Sequence, residues 1–121
     1  MKKVCVFCGS ASGKSDHYID LAKEVGSKLV KDNFGLVYGG ASIGVMGALA
    51  DEVLKNEGYV FGVMPKSLVE WEVAHDNLTE FEVVDSMHVR KEMMYEHSDA
   101  SVAIPGGMGT LDELCEIITW A

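Results

Sequence analysis

The sequence predicts an α/β fold, a parallel sheet with helices on both of its faces. Three observations carry that expectation. Short β-branched runs alternate with longer segments of helical apolar period, as in a parallel sheet joined by crossover helices. Strand segments run into glycine three times, at Gly9, at Gly39-Gly40 and at Gly106-Gly107. Finally, 121 residues that are 48% apolar and 24% charged, with two prolines, suit one globular domain over 1–121 rather than disorder.

Each element follows from its local pattern. Lys3-Val4-Cys5-Val6-Phe7 reads as the first strand, and residues 16–30 as a helix with an apolar stripe at Ile19, Leu21, Ala22, Val25 and Leu29. A strand at 35–38 precedes Gly39-Gly40 and a helix near 44–56. The third strand, 59–64, is closed by Pro65. Residues 66–80 are less regular and are expected to cross the surface as a loop with some helix. A short strand at 81–84, a helix at 87–97 and a clear strand at 100–104 follow. Residues 109–121 open another helix, which stops at Thr119-Trp120-Ala121 without a cap or stop signal. A parallel sheet would return from that helix to a further strand, so the expectation is a chain truncated at its C-terminus.

Composition removes several function classes. A net charge of −9 disfavours nucleic acid as a partner, yet it is compatible with a small anion held by a few local donors. No apolar run approaches the ~20 residues of a membrane span. The apolar run after Lys2-Lys3 is too short for a signal peptide and lacks a cleavage site, so a cytoplasmic protein is expected. Cys5 and Cys8 make a C-x-x-C, but strand positions three apart face opposite sides of a sheet, and no second group completes a zinc site. Both are expected to be buried and inert. His17, His75, His88 and His97 show no metal-ligand spacing and are expected to be structural or exposed.

The glycine-rich turns differ in what they can do. Cys8-Gly9-Ser10-Ala11-Ser12-Gly13-Lys14-Ser15 resembles a P-loop, but Cys8 stands where that motif needs its first glycine. It reads as a polar turn whose Gly9 and Ser10 could still touch a ligand. The dinucleotide fingerprint is absent, because Gly107-Met108-Gly109 is followed by Thr110, Leu111 and Asp112 rather than by a third glycine. Pro105-Gly106-Gly107-Met108-Gly109-Thr110-Leu111-Asp112-Glu113 is the strongest signal. Its glycines leave N–H groups uncovered, and Thr110 opens a helix whose positive end suits a phosphate. Carboxylates beside such a site suit a reaction that builds positive charge. Thr110-x-x-Glu113 is equally a capping box, and local spacing does not choose between the two. Arg90-Lys91 is the second constellation. A basic pair on a helix usually marks a solvated face; this one follows a strand-like segment and is flanked by methionines, a context that also suits one cation turned into a cleft.

Together these segments resemble the LOG (lonely guy) family of cytokinin riboside 5′-monophosphate phosphoribohydrolases, some members of which are labelled lysine decarboxylases. The matching pieces are Phe7-Cys8-Gly9-Ser10, Tyr38-Gly39-Gly40, Met87-His88 with Arg90-Lys91, Ser98-Asp99-Ala100, Pro105 to Thr110 with Glu113, and Ile118-Thr119-Trp120-Ala121. The resemblance implies a Rossmann-like doubly wound sheet, a homodimer, and hydrolysis of a nucleoside 5′-monophosphate such as AMP or its N6-isopentenyl form. The products are the free base and ribose 5-phosphate, and the resemblance implies no cofactor and no metal. Arg90 and Glu113 take the catalytic positions. Glu72, Arg90, Lys91, Gly107, Met108, Gly109, Thr110, Leu111, Asp112, Glu113 and Thr119 take substrate-binding ones. Met108 replaces the tyrosine common in the family's loop, which leaves the base preference open. Two alternatives stand beside this one. They are a general AMP or pyrimidine nucleotide nucleosidase, and a non-catalytic binding protein like the molybdenum-cofactor carriers.

Overall fold

The computed structural model describes residues 1–8, 17–69 and 73–104. Along the chain these form β1 (Lys3–Phe7), α1 (His17–Lys31), β2 (Gly35–Tyr38), α2 (Gly44–Lys55), β3 (Val60–Pro65), β4 (Glu80–Val84), α3 (Met87–Glu96) and β5 (Ala100–Ala103). One turn of 3-10 helix, Lys66–Leu68, follows β3. The described strands make one five-stranded sheet in the order β4-β3-β2-β1-β5, and all four pairings are parallel. The expected α/β architecture is present. The ends of the described elements match the sequence reading to within one residue, inside the range over which such ends fray. The helix expected at 109–121 lies outside the described residues.

Side-chain alternation along the strands builds two cores. Val4, Val6, Leu36, Tyr38, Val60 and Met64 meet Ala22 and Leu29 of α1 and Val45, Leu49, Ala50 and Val53 of α2. Cys5, Phe7, Val37, Phe61 and Val63 point the other way and meet Met94 of α3. Helices therefore cover both faces. Cys5 and Cys8 are buried in opposite cores, as their spacing predicts. Leu49 is fully buried, so truncating it to alanine would cost about 2–5 kcal/mol.

α1 and α2 end in the same way. Asn33 (φ 63°) and Glu57 (φ 62°) adopt the left-handed conformation just past the two helices. Asn33 N–H donates to Val30 O at 3.0 Å, and Phe34 N–H to Leu29 O at 2.8 Å. The second helix repeats this with Glu57 N–H to Leu54 O at 3.0 Å and Gly58 N–H to Val53 O at 2.8 Å. These paired bonds satisfy the last helical carbonyls and turn the chain back into the next strand.

Candidate functional site

The sheet changes direction at β1. β2, β3 and β4 extend from one side of it, and β5 lies on the other. In open α/β sheets ligands bind beyond the strand carboxyl ends at such a reversal. Here Phe7 is in register with Ala103, and Ile104 N–H donates to Phe7 O at 2.8 Å, which brings the two strand ends together. The polar turn with Gly9-Ser10 and the glycine-rich segment Pro105 to Thr110 follow those ends in the sequence. Both lie outside the described residues, as do Glu72, Leu111, Asp112, Glu113 and Thr119. Of the predicted site, Arg90 and Lys91 are described.

α3 carries both. Ser86 caps it, with its Oγ accepting the Val89 N–H at 3.2 Å, so the helix begins at a fixed point after β4. Arg90 is only 2% exposed, and Lys91 8%. The solvated face usual for a basic pair is thus not what this helix shows, because both cations turn inward. The Arg90 Nε–H donates to the Val63 carbonyl at 2.9 Å, and Nη2 donates to the Gly39 carbonyl at 2.6 Å. Nη1 faces the Met87 sulfur at 3.6 Å. A buried guanidinium is costly unless hydrogen-bonded, and a hydrogen bond to a charged group contributes about 1.5–3 kcal/mol. These contacts fix the plane of the fork across the ends of β2 and β3. An arginine stays protonated at neutral pH, so the result is a permanent, oriented positive charge.

The turn after β2 is shaped for that contact. A Cβ on Gly39 would overlap Arg90 Nη2, and Gly40 has φ 90°, where a side chain is strained. Gly39, one of the glycines into which the strands run, thus makes room for an arginine. Tyr38, fully buried, donates its hydroxyl to the Ala41 carbonyl at 2.7 Å. Burial, with the Asp51 carboxylate and Cys8 nearby, pushes that hydroxyl's pKa above its ordinary value, against an opposing pull from Arg90.

His75 was expected to be structural or exposed, and it is buried. Its Nε2 lies 2.7 Å from Asp51 Oδ1, and its Nδ1 accepts the Asn77 N–H at 3.0 Å. Spacing alone could not pair His75 with Asp51, because they are 24 residues apart. Among the described residues no cluster of three His, Cys, Asp or Glu side chains is arranged for a metal ion. No described helix is long and apolar enough to cross a membrane. A cleft of about 450 Å³ between α1 and α2, with Lys23, Ser42, Asp51 and Lys55 among its walls, includes neither Arg90 nor Lys91.

Several known proteins are similar to this chain. A family model described as possible lysine decarboxylase matches residues 46–121. The chain is 49% identical over 120 residues to the cytokinin riboside 5′-monophosphate phosphoribohydrolase LOG1 of Arabidopsis thaliana, covering 99% of this chain and 56% of that one. It is 50% identical, also over 120 residues, to the probable cytokinin riboside 5′-monophosphate phosphoribohydrolase LOGL9 of Oryza sativa subsp. japonica, covering 99% and 53%. The chain spans about half the length of the curated relatives it matches. Among solved structures, the molybdenum cofactor carrier protein of Chlamydomonas reinhardtii aligns with a TM-score of 0.83 at 21% identity, over 98% of this chain and 71% of that one. The molybdenum cofactor binding protein of Rippkaea orientalis aligns at 0.82 and 22% identity, over 98% and 71%. Those two likenesses show the fold alone, and it is the expected Rossmann-like one. With the family model matching well over half of the chain and near-half identity to its phosphoribohydrolases along nearly all of it, the chain belongs to the LOG family.

Proposed function

We propose that the whole protein hydrolyses the N-glycosidic bond of nucleoside 5′-monophosphates, cytokinin riboside monophosphates among them, to the free base and ribose 5-phosphate. The observation that carries the reading is Arg90, buried at the strand ends and oriented by the Val63 and Gly39 carbonyls. The near-half identity to named phosphoribohydrolases supports it.

Breaking the glycosidic bond leaves positive charge on the ribose and negative charge on the departing base. In this proposal Glu113 stabilises the ribosyl charge and positions the attacking water, one proton of which ends on the departing base. Arg90, which does not readily give up a proton, holds phosphate or the leaving base rather than acting as an acid. Lys91 and the stretch Gly107, Met108, Gly109, Thr110, Leu111 and Asp112 hold the phosphate and ribose, with the uncovered N–H groups of the glycine loop facing the phosphate. Glu72 and Thr119 make further substrate contacts. The enzyme works as a cytoplasmic homodimer, with the methionine-rich start of α3 at the subunit interface, where Met87 is exposed. Because nucleoside monophosphates are cytoplasmic metabolites, that location supplies the substrate.

The test compares AMP, its N6-isopentenyl analogue and adenosine with the full-length chain, following base release by chromatography. Both nucleotides are expected to be cleaved and adenosine to be left intact, because the phosphate supplies the binding energy. Cleavage of adenosine as fast as AMP would overturn the role given to the glycine loop. The ratio between the two nucleotides separates a cytokinin enzyme from a general nucleotide nucleosidase.

A further inference from the structure

Resting on the reading that Arg90 serves catalysis, we infer that His75 is a positioning residue: it holds the turn after β2 so that the Gly39 carbonyl meets Arg90. That turn is pinned from two sides. Within it, Tyr38 donates its hydroxyl to the Ala41 carbonyl at 2.7 Å. Against it lies the stretch that leads toward β4, running antiparallel. His75 N–H donates to the Gly40 carbonyl at 2.9 Å, Ala41 pairs with Ala74, and Ser42 donates both its N–H and its hydroxyl to the Val73 carbonyl at 2.8 Å. The Gly39 carbonyl, one peptide before the His75 contact, receives Arg90 Nη2.

His75 differs from its neighbours because its ring reaches a third element. Asn77 N–H fills Nδ1, so the ring proton belongs on Nε2 and is donated to Asp51 on α2. The His75 side chain is 7% exposed, which shelters that bond from competing water even though Asp51 itself is 65% exposed. α2 begins at Gly44, two residues beyond Ser42. The result is a closed circuit from the turn through α2 and Asp51 to His75, and back to the turn through His75 N–H. Truncating the ring opens the circuit and leaves the Gly39 peptide with less support where Arg90 depends on it. Catalytic geometry is sensitive on this scale, since a misplacement of ~1 Å can cost ~10²-fold in rate.

The experiment uses the full-length chain with His75→Ala, His75→Gln and Asp51→Ala, each made in the wild-type and in the Arg90→Lys background. Steady-state kinetics on AMP are read alongside the NMR signals and exchange protection of the Arg90 Nη protons, which include the donor to the Gly39 carbonyl. His75→Ala and Asp51→Ala are expected to lower kcat by about tenfold or more and to change KM by less than about threefold. His75→Gln should restore most of the loss, because its amide nitrogen can donate to Asp51 as Nε2 does. In the Arg90→Lys background the same changes should add little, since the group being positioned is gone. A general loss of stability would instead lower both backgrounds alike, and that outcome would overturn the inference. So would a folded His75→Ala with unchanged kcat and unchanged Arg90 Nη signals. Should His75→Ala not fold, His75→Gln and Asp51→Ala make the same comparison. A wild-type chain that releases no base would sink the functional reading alone, and the NMR signal would still decide whether His75 positions Arg90.

Discussion

Gly39 and Arg90 fit each other across 51 residues of sequence, and the fit leaves no space for a methyl group. Gly39→Ala must push back the guanidinium and also crowds Met46, whose terminal atoms lie 3.0 Å from the would-be Cβ. Overpacking of this kind costs about 1–3 kcal/mol. The expected result is a lower denaturation midpoint together with a fall in kcat/KM, and full activity in a folded Gly39→Ala enzyme would separate Arg90's position from its role. Glu113 poses the complementary question, because its place in a capping box competes with a place in catalysis. Glu113→Gln can still complete the box. If Glu113 stabilises ribosyl charge, kcat should fall roughly 10²-fold with the fold intact, the scale of one lost electrostatic contact in a transition state. If it only caps, Glu113→Gln should cost little activity, while Glu113→Ala should lose about 1 kcal/mol of stability. The type of residue at 39, 90 and 113 was legible in the sequence. The contact between 39 and 90 was not, since no local period links a strand end to a helix two crossovers later.

At the scale of elements, period and punctuation located every described strand and helix. Val4, Val6 and Leu36 alternate with Cys5, Phe7 and Val37, and that period of two is what a strand between two cores requires. The turn ends were less legible. Gly58 looks like the residue that should take the left-handed position after α2, yet Glu57 takes it and Gly58 donates to Val53 O one step later. A side chain in that conformation costs about 1–2 kcal/mol relative to glycine. Glu57→Gly is therefore expected to raise unfolding stability by about 1 kcal/mol, read from urea midpoints at unchanged slope. A neutral or destabilising result would mean that the Glu57 side chain contributes something its backbone geometry does not reveal. The His75–Asp51 pair was hidden for a related reason. Position 75 sits in the irregular stretch between β3 and β4, where no periodicity assigns a face.

For the molecule as a whole, the chain's acidity and the site's local chemistry point in different directions, and the local chemistry decides. A net charge of −9 would repel an anion at long range, but two buried cations in one turn of α3 act at contact distance. The sheet reversal at β1 puts the ends of β1 and β5 beside the ends of β2 and β3, so one crevice can gather residues from distant parts of the sequence. The separate motifs read as one site through their resemblance to the family, and of the expected site residues Arg90 and Lys91 are the described ones. The most direct test of the central claim is a product analysis of the full-length protein with N6-isopentenyladenosine 5′-monophosphate and, separately, with lysine. The account predicts free base and ribose 5-phosphate in equal amounts, no inorganic phosphate, and no cadaverine or carbon dioxide from lysine. Decarboxylation of lysine with the nucleotide left intact would contradict it.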